Sequence, residues 1–289
     1  MNGSDIERYL VRLGVARPPA PTVSALNELL SAHTRTVPFE NLLIQLGRPA
    51  CLRVDQTIDR IAHGGGGYCL QLNHAFGALL DALGFEVREH EGRCWRDGPD
   101  PADAPVNHLA LTVRCDDGSW WLAEVGMSDA ICEPIPLQPG RYPQGPFTYR
   151  MEAITLRSCP GWRFRHDPNG GFDGMDFFLS PARREVVEEA HQRLSTSPES
   201  PYMRLLSVGR RDLGGADILR GRVLMRWDST GRTHTRYDDI KTWLALLESR
   251  FGLPVADLNS ADQTRLWQRV CDAHDAWELS QRHGNRPTR

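Results

Sequence analysis

A chain of 289 residues exceeds the size at which a single hydrophobic core usually stops growing, so two or three subdomains are expected. Apolar residues make up 40% and charged residues 25%, with a formal net charge of -3, which is the profile of a soluble globular protein. The near-neutral balance without a basic tract excludes an obvious nucleic-acid binder, and no apolar run approaches the roughly 20 residues that a membrane span needs. The opening Met1-Asn2-Gly3-Ser4 lacks a charged-then-apolar signal pattern, so a cytoplasmic location is expected.

Along the chain, Ile6, Leu10 and Leu13 open one helical pattern and residues 24–30 another, with a Pro-rich loop near 17–21 between them. Leu72, Phe76, Leu79, Leu80 and Leu83 recur at helical spacing up to Gly84, so residues 1–86 read as a helical domain. From 87 to 190 the texture turns to short apolar alternations broken by turn signals such as Asp116-Asp117-Gly118 and Pro168-Asn169-Gly170-Gly171, which predicts a β-rich domain. A second Pro-rich stretch near 99–105 predicts a loop there. Residues 191–289 mix a strand around 222–226 with helices around 240–251 and 261–282, and the whole is an α+β chain.

Seven cysteines are an odd number scattered without a Cys-x-x-Cys or a tight Cys/His cluster, which disfavours both a disulfide framework and a structural zinc, and no metal is expected. Most of them read as small buried hydrophobes. Cys69 differs, because in His63-Gly64-Gly65-Gly66-Gly67-Tyr68-Cys69-Leu70-Gln71-Leu72-Asn73 it sits where a glycine run meets the first turn of a helix expected to be amphipathic. Free amide groups and the positive end of the helix dipole favour a thiolate at such a place, and glycines let the backbone approach a substrate. A phosphate loop is the competing reading, but no Lys-Ser/Thr follows and no complete G-x-G-x-x-G is present. Alone, the glycines are equally compatible with a tight turn and a packed cysteine.

Two further segments change that balance. His108-Leu109-Ala110-Leu111-Thr112-Val113 and Trp120-Trp121-Leu122-Ala123-Glu124-Val125 flank the turn signal at 116–118 and read as a hairpin. If Leu109, Leu111 and Val113 share a face with Val125, Ala123 and Trp121, the loop has three residues and Glu124 lies opposite Ala110. His108 and Glu124 then project from one face as diagonal neighbours, within bridging distance of their side chains. A histidine held by a carboxylate through one ring nitrogen can take a thiol proton with the other, so Cys69, His108 and Glu124 are the candidate nucleophile, base and orienting group.

These segments resemble, in order and spacing, the arylamine N-acetyltransferase family. Val37-Pro38-Phe39-Glu40-Asn41-Leu42 is similar to the family's Pro-Phe-Glu-Asn segment, and Gly66-Gly67-Tyr68-Cys69 to its Arg-Gly-Gly-x-Cys motif. Glu124-Val125-Gly126-Met127 stands where the family has Asp-Val-Gly-Phe, and Leu194-Ser195-Thr196-Ser197-Pro198-Glu199-Ser200-Pro201 resembles a segment near the start of its third domain. The resemblance implies a helical first domain, a β-barrel second domain, an α/β lid as the third, and a Cys-His-carboxylate site like that of cysteine proteases. It also implies acetyl-CoA or another acyl thioester as co-substrate, a small amine as acceptor, a ping-pong cycle through acyl-Cys69, and substrate contacts from Phe39, Gly126 and Met127.

Four departures surround the site: Gly65 replaces the motif arginine, Glu124 the aspartate, Met127 the phenylalanine, and Ser128 a common second glycine. They leave open an amide synthase that releases a carrier-bound polyketide chain, with an acyl carrier protein as partner. A cysteine hydrolase, or a binding protein with a decayed site, are further alternatives.

Overall fold

The computed structural model describes residues 2–96, 104–156 and 158–284. Capping side chains set the first helices: Asn2 accepts from Asp5 N at the start of α1 (Gly3–Leu13), and Thr22 from Ala25 N at the start of α2 (Val23–Thr36). A two-residue strand, β1 (Phe39–Glu40), a single turn, α3 (Leu42–Gln45), and α4 (Val54–Ala62) lead to α5 (Cys69–Ala82). The 17–21 stretch is the irregular link between α1 and α2.

The amphipathic character expected of α5 is not found. Leu70, Leu72, Ala75, Phe76, Leu79 and Leu80 are fully buried, and only a few positions of the helix reach solvent. The reason is its place: α1 and α4 pack on it from one side, and β2 (Glu86–Trp95) and β3 (His108–Arg114) from the other. A helix enclosed in this way is apolar nearly all round, and each buried Leu or Phe contributes about 1.5–3 kcal/mol by leaving water. The helix bearing Cys69 is thus a fixed axis of the molecule.

With β4 (Trp120–Leu122), β5 (Ile135–Pro136), β6 (Gly140–Gln144), β7 (Phe147–Leu156), β8 (Cys159–Arg165) and β9 (Gly174–Phe178), β2 and β3 form one antiparallel sheet in the order β5-β4-β3-β2-β9-β8-β7-β6. Its edges are drawn together by Gln144, whose side chain accepts from Cys132 N (2.9 Å) and donates to Glu133 O (2.8 Å), just ahead of β5. The result is a near-closed barrel. The β3–β4 register is the expected one: Val113 faces Trp121, and Ala123 N donates to Leu111 O at 3.0 Å. Asp116-Asp117-Gly118 forms the loop, with Gly118 at φ 85°, a conformation that glycine adopts without strain. Of the loop expected at 99–105, residues 104–105 are irregular and 99–103 lie outside the described residues.

The remainder comprises α6 (Arg184–Thr196), α7 (Pro201–Arg204), strands β10 (Ser207–Asp212), β11 (Gly215–Arg220), β12 (Val223–Asp228) and β13 (Gly231–Arg236), then α8 (Ile240–Phe251) and α9 (Ser260–Gly284). The strands form a second antiparallel sheet, β1-β10-β11-β12-β13, so that Phe39–Glu40 of the helical part is its edge. A separate core of Leu206, Val208, Leu219, Trp243, Leu247 and Phe251 holds α8 against it. Of the expected domain boundaries, 86 is the first residue of β2, whereas 190 falls within α6. Arg211 ties the second sheet to the barrel: its buried guanidinium donates to Ala130 O (3.0 Å), Gly215 O (3.1 Å) and Gln144 O (2.6 Å) and lies 4.5 Å from the Phe147 ring centre. Among the described residues, no helix is long and apolar enough to cross a membrane.

Candidate active site

Cys69 is the first residue of α5, preceded by Tyr68 in extended conformation. Gly66 makes the approach possible, since a Cβ there would meet Pro38 O at 1.9 Å. The loop is anchored by Glu40 N, which donates to Gly67 O (2.8 Å), and by the Glu40 carboxylate, which accepts from Leu42 N (2.6 Å) and from Gly66 N. Burial raises the Glu40 carboxyl pKa, against the pull of the Arg60 guanidinium and those two amides. A guanidinium is therefore present beside this loop although residue 65 is glycine. It comes from α4: Arg60 Nη2 lies 3.2 Å from where a Gly67 side chain would begin.

The Cys69 side chain is 1% exposed, and its sulfur lies 3.7 Å from both Asn107 O and the Tyr202 hydroxyl. His108 opens β3 and is 2% exposed, as is Glu124. Their contact is direct, His108 Nε2 to Glu124 Oε2 at 2.8 Å. Asn73, one turn along α5 from Cys69, holds the assembly together by donating to Glu124 Oε1 (2.7 Å) and Leu109 O (2.6 Å) while accepting from Val125 N (3.0 Å). Gly126 N also donates to Glu124 Oε1, at 2.6 Å. These side-chain bonds replace the strand ladder, which explains why β4 stops at Leu122 and not at the expected 125.

Because Oε1 is occupied by two donors, Oε2 is left to accept from His108 Nε2–H, and this fixes the imidazole so that Nδ1 is left for sulfur. The ring interacts with the thiols of both Cys69 and Cys94. Burial alone would lower the His108 pKa, but the Glu124 charge, then the thiols, outweigh it and hold it well above the ordinary histidine value. Cys94 shifts upward through burial, opposed by His108.

The three expected side chains are thus gathered at one point, and the longer Glu124 reaches the imidazole at hydrogen-bond distance. Phe39, Gly126 and Met127 line one cavity of about 590 Å³ together with His108, Cys94 and Tyr202. Gly126 has no room for a Cβ, which would come within 2.8 Å of the Cys69 Cα. Ser128 is accommodated from the opposite side, since a Cβ at Gly209 on β10 would lie 2.1 Å from its own Cβ. Asn107, Cys94 and Tyr202 carry no sequence signal for this role. Asn73 does, standing four residues beyond Cys69 on the same helix face. Among the described residues, no group of three or more His, Cys, Asp or Glu side chains is placed to hold a metal ion.

Comparison with known proteins agrees with this geometry. The N-acetyltransferase family model matches residues 22–260. An arylamine N-acetyltransferase of Mycolicibacterium smegmatis is 31% identical over 267 residues, covering 89% of this chain and 95% of that protein. Among solved structures, M. smegmatis arylamine N-acetyltransferase superposes with a TM-score of 0.82 at 29% identity, over 93% of this chain and 98% of that one. The Mycobacterium marinum enzyme in complex with CoA gives 0.80 at 26% identity, over 92% and 98%. The chain belongs to the arylamine N-acetyltransferase family and is an acyltransferase.

Proposed function

We propose that this protein moves an acetyl or other small acyl group from a thioester, acetyl-CoA in the first instance, to an arylamine- or arylhydrazine-type amine through an acyl-Cys69 intermediate. The observation that carries the reading is the buried 2.8 Å His108–Glu124 contact, with the same imidazole facing the Cys69 thiol. His108 Nδ1 takes the thiol proton, the thiolate attacks the thioester carbonyl, and the departing CoA sulfur takes a proton back from His108. An amine then attacks acyl-Cys69, gives its proton to His108, and the Cys69 sulfur leaves. Asn73 and Gly126 N keep the Glu124 carboxylate in place through both halves. The α/β part, 191–289, acts as a lid, since Tyr202, Leu205, Ser207 and Arg220 close the cavity from that side.

The size of the cavity, about 590 Å³, favours keeping a second reading, because it lies within the 300–1,000 Å³ typical of sites for much larger ligands than acetyl. An amide synthase working on a long, carrier-bound acyl chain would use the same residues. Intact-mass spectrometry after brief incubation with acetyl-CoA, beside Cys69→Ala, tests both. A +42 Da adduct that requires Cys69 and is discharged by an arylamine is the expected result. An adduct from long or carrier-bound acyl donors alone selects the synthase, and no Cys69 adduct from any donor overturns covalent acyl transfer.

A further inference from the structure

We infer that the Tyr202 hydroxyl is a fourth catalytic group, donating a hydrogen bond to the Cys69 sulfur whenever that sulfur carries negative charge. The inference rests on the acyl-Cys69 reading above, and three observations support it.

The first is the set of partners. Among the described residues, the hydroxyl has one hydrogen-bond contact, the Cys69 sulfur at 3.7 Å. The sulfur's other polar neighbour at that distance, Asn107 O, can only accept, so it serves the thiol and not the thiolate. When the proton passes to His108, the Asn107 contact loses its hydrogen and the Tyr202 contact gains a charged acceptor.

The second is how firmly the residue is held. Its carbonyl accepts from Asn41 Nδ2 (2.9 Å) and Gln45 Nε2 (2.6 Å), and its N–H donates to Ser200 Oγ (3.2 Å). Its ring packs edge-on against Tyr68, centroids 5.2 Å apart, and lies 6.1 Å from Phe39. A phenylalanine would satisfy all of that packing, so the oxygen is the feature without a structural reason. The third is its state. Burial, then the charge on Cys69, push the Tyr202 pKa well above the ordinary tyrosine value, so it remains a donor throughout the working pH range.

The two half-reactions feel this donor unequally. A hydrogen bond to a thiolate increases its population but blunts its nucleophilicity, with a Brønsted slope of about 0.4–0.5, so acylation near neutral pH changes little. In deacylation the sulfur is the leaving group and is stabilised as it departs. Tyr202 therefore acts mainly on the second half of the cycle.

The test is Tyr202→Phe, with melting temperature as the control for folding. Iodoacetamide alkylation of Cys69 against pH should shift upward by about one unit, the size of one weak charge-assisted hydrogen bond. Burst acylation by p-nitrophenyl acetate should slow only a few-fold, and discharge of acetyl-Cys69 by an arylamine about tenfold. An unchanged alkylation profile and an unchanged discharge rate overturn the inference. Alkylation needs no acyl transfer, so absence of the burst in the unsubstituted enzyme would count against the proposed function and leave the sulfur–hydroxyl contact to be judged separately. If the variant does not fold, ultraviolet difference titration of the unsubstituted protein decides. A tyrosine band should move in step with Cys69 ionisation and be absent in Cys69→Ala, and no such band sinks the proposal.

Discussion

Two buried histidine–carboxylate pairs stand at the same end of the barrel, and they are built for opposite purposes. In the first, His108 spends one nitrogen on Glu124 and leaves the other for the thiols. In the second, His166 has both nitrogens against backbone oxygens, Nδ1 to Asp167 O (3.1 Å) and Nε2 to Asp129 O (3.0 Å), with the Asp129 carboxylate 3.6 Å from Nε2. Two accepting oxygens require two N–H donors, which only the imidazolium has. Burial lowers the His166 pKa and Asp129 more than restores it, while His166 and Gly171 N keep the Asp129 carboxyl low against its own burial. Phe147, Tyr149 and Phe172 surround the ring. A histidine–carboxylate pair becomes a proton-transfer device only when one nitrogen is left free; otherwise it is a brace.

The helical core supplies the contrasting case. His33 is fully buried, with Nε2 at 2.8 Å from the Tyr9 hydroxyl and, among the described residues, no hydrogen bond at Nδ1. Without a carboxylate, burial and then the Arg12 charge push its pKa down to about 3.

The largest effect that would sharpen this comparison is Glu124→Gln. The amide oxygen would stay with the Asn73 and Gly126 donors at the Oε1 position, leaving its NH₂ against His108 Nε2, so the ring proton moves to the nitrogen facing sulfur. A wrong tautomer of this kind costs roughly 10³–10⁴-fold in kcat, readable in single-turnover acylation, with the melting temperature little changed. Loss of less than tenfold would mean that the carboxylate does not set the tautomer.

At the brace, His166→Gln should do the reverse. It removes the imidazolium beside the buried Asp129 carboxylate, leaving it Gly171 N and the Arg220 charge, and should cost about 2 kcal/mol of stability in denaturant melts, while acylation per folded molecule stays within a few-fold. A collapse of acylation with stability intact would break the distinction between the two pairs.

The smallest effect belongs to His33→Phe. Because the folded-state pKa is depressed, the unfolded chain binds a proton that the folded chain does not between about 6.5 and about 3. Stability is therefore complete above pH 6.5 and falls as the pH drops, by about 1.4 kcal/mol per unit at most. The variant should lose about 1 kcal/mol at pH 7, where Tyr9 lacks its partner, and overtake the unsubstituted protein below pH 5 in thermal melts. Parallel curves would show that His33 does not carry the acid sensitivity.

What was legible in the sequence follows the range of the interactions. The β3–β4 register could be read because alternation permits one matching of Leu109, Leu111 and Val113 with their partners, and it carries His108 and Glu124 together. The strand end could not, since Asn73 reaches across from a helix to take over the Val125 amide. Two of the departures around the site are matched elsewhere: Gly65 is accompanied by Arg60 on the preceding helix, and Ser128 by Gly209 on a distant strand. Such exchanges pair residues by space and not by spacing, and pattern alone is blind to them. Tyr202 was missed for the same reason: it follows a recognised Ser-Pro segment, but only folding brings its oxygen to the sulfur.

Arg211 has a bearing on traffic. Its guanidinium sits between the two sheets, held by three backbone oxygens and the Phe147 face, and among the described residues no carboxylate forms an ion pair with it. Swinging the second sheet away would leave that cation and the carbonyls of Ala130 and Gln144 unpaired, a penalty of several kcal/mol. The cavity beside His108 therefore has a wall that stays put, and under the proposed cycle donor, departing thiol, amine and amide would have to take turns in one standing frame.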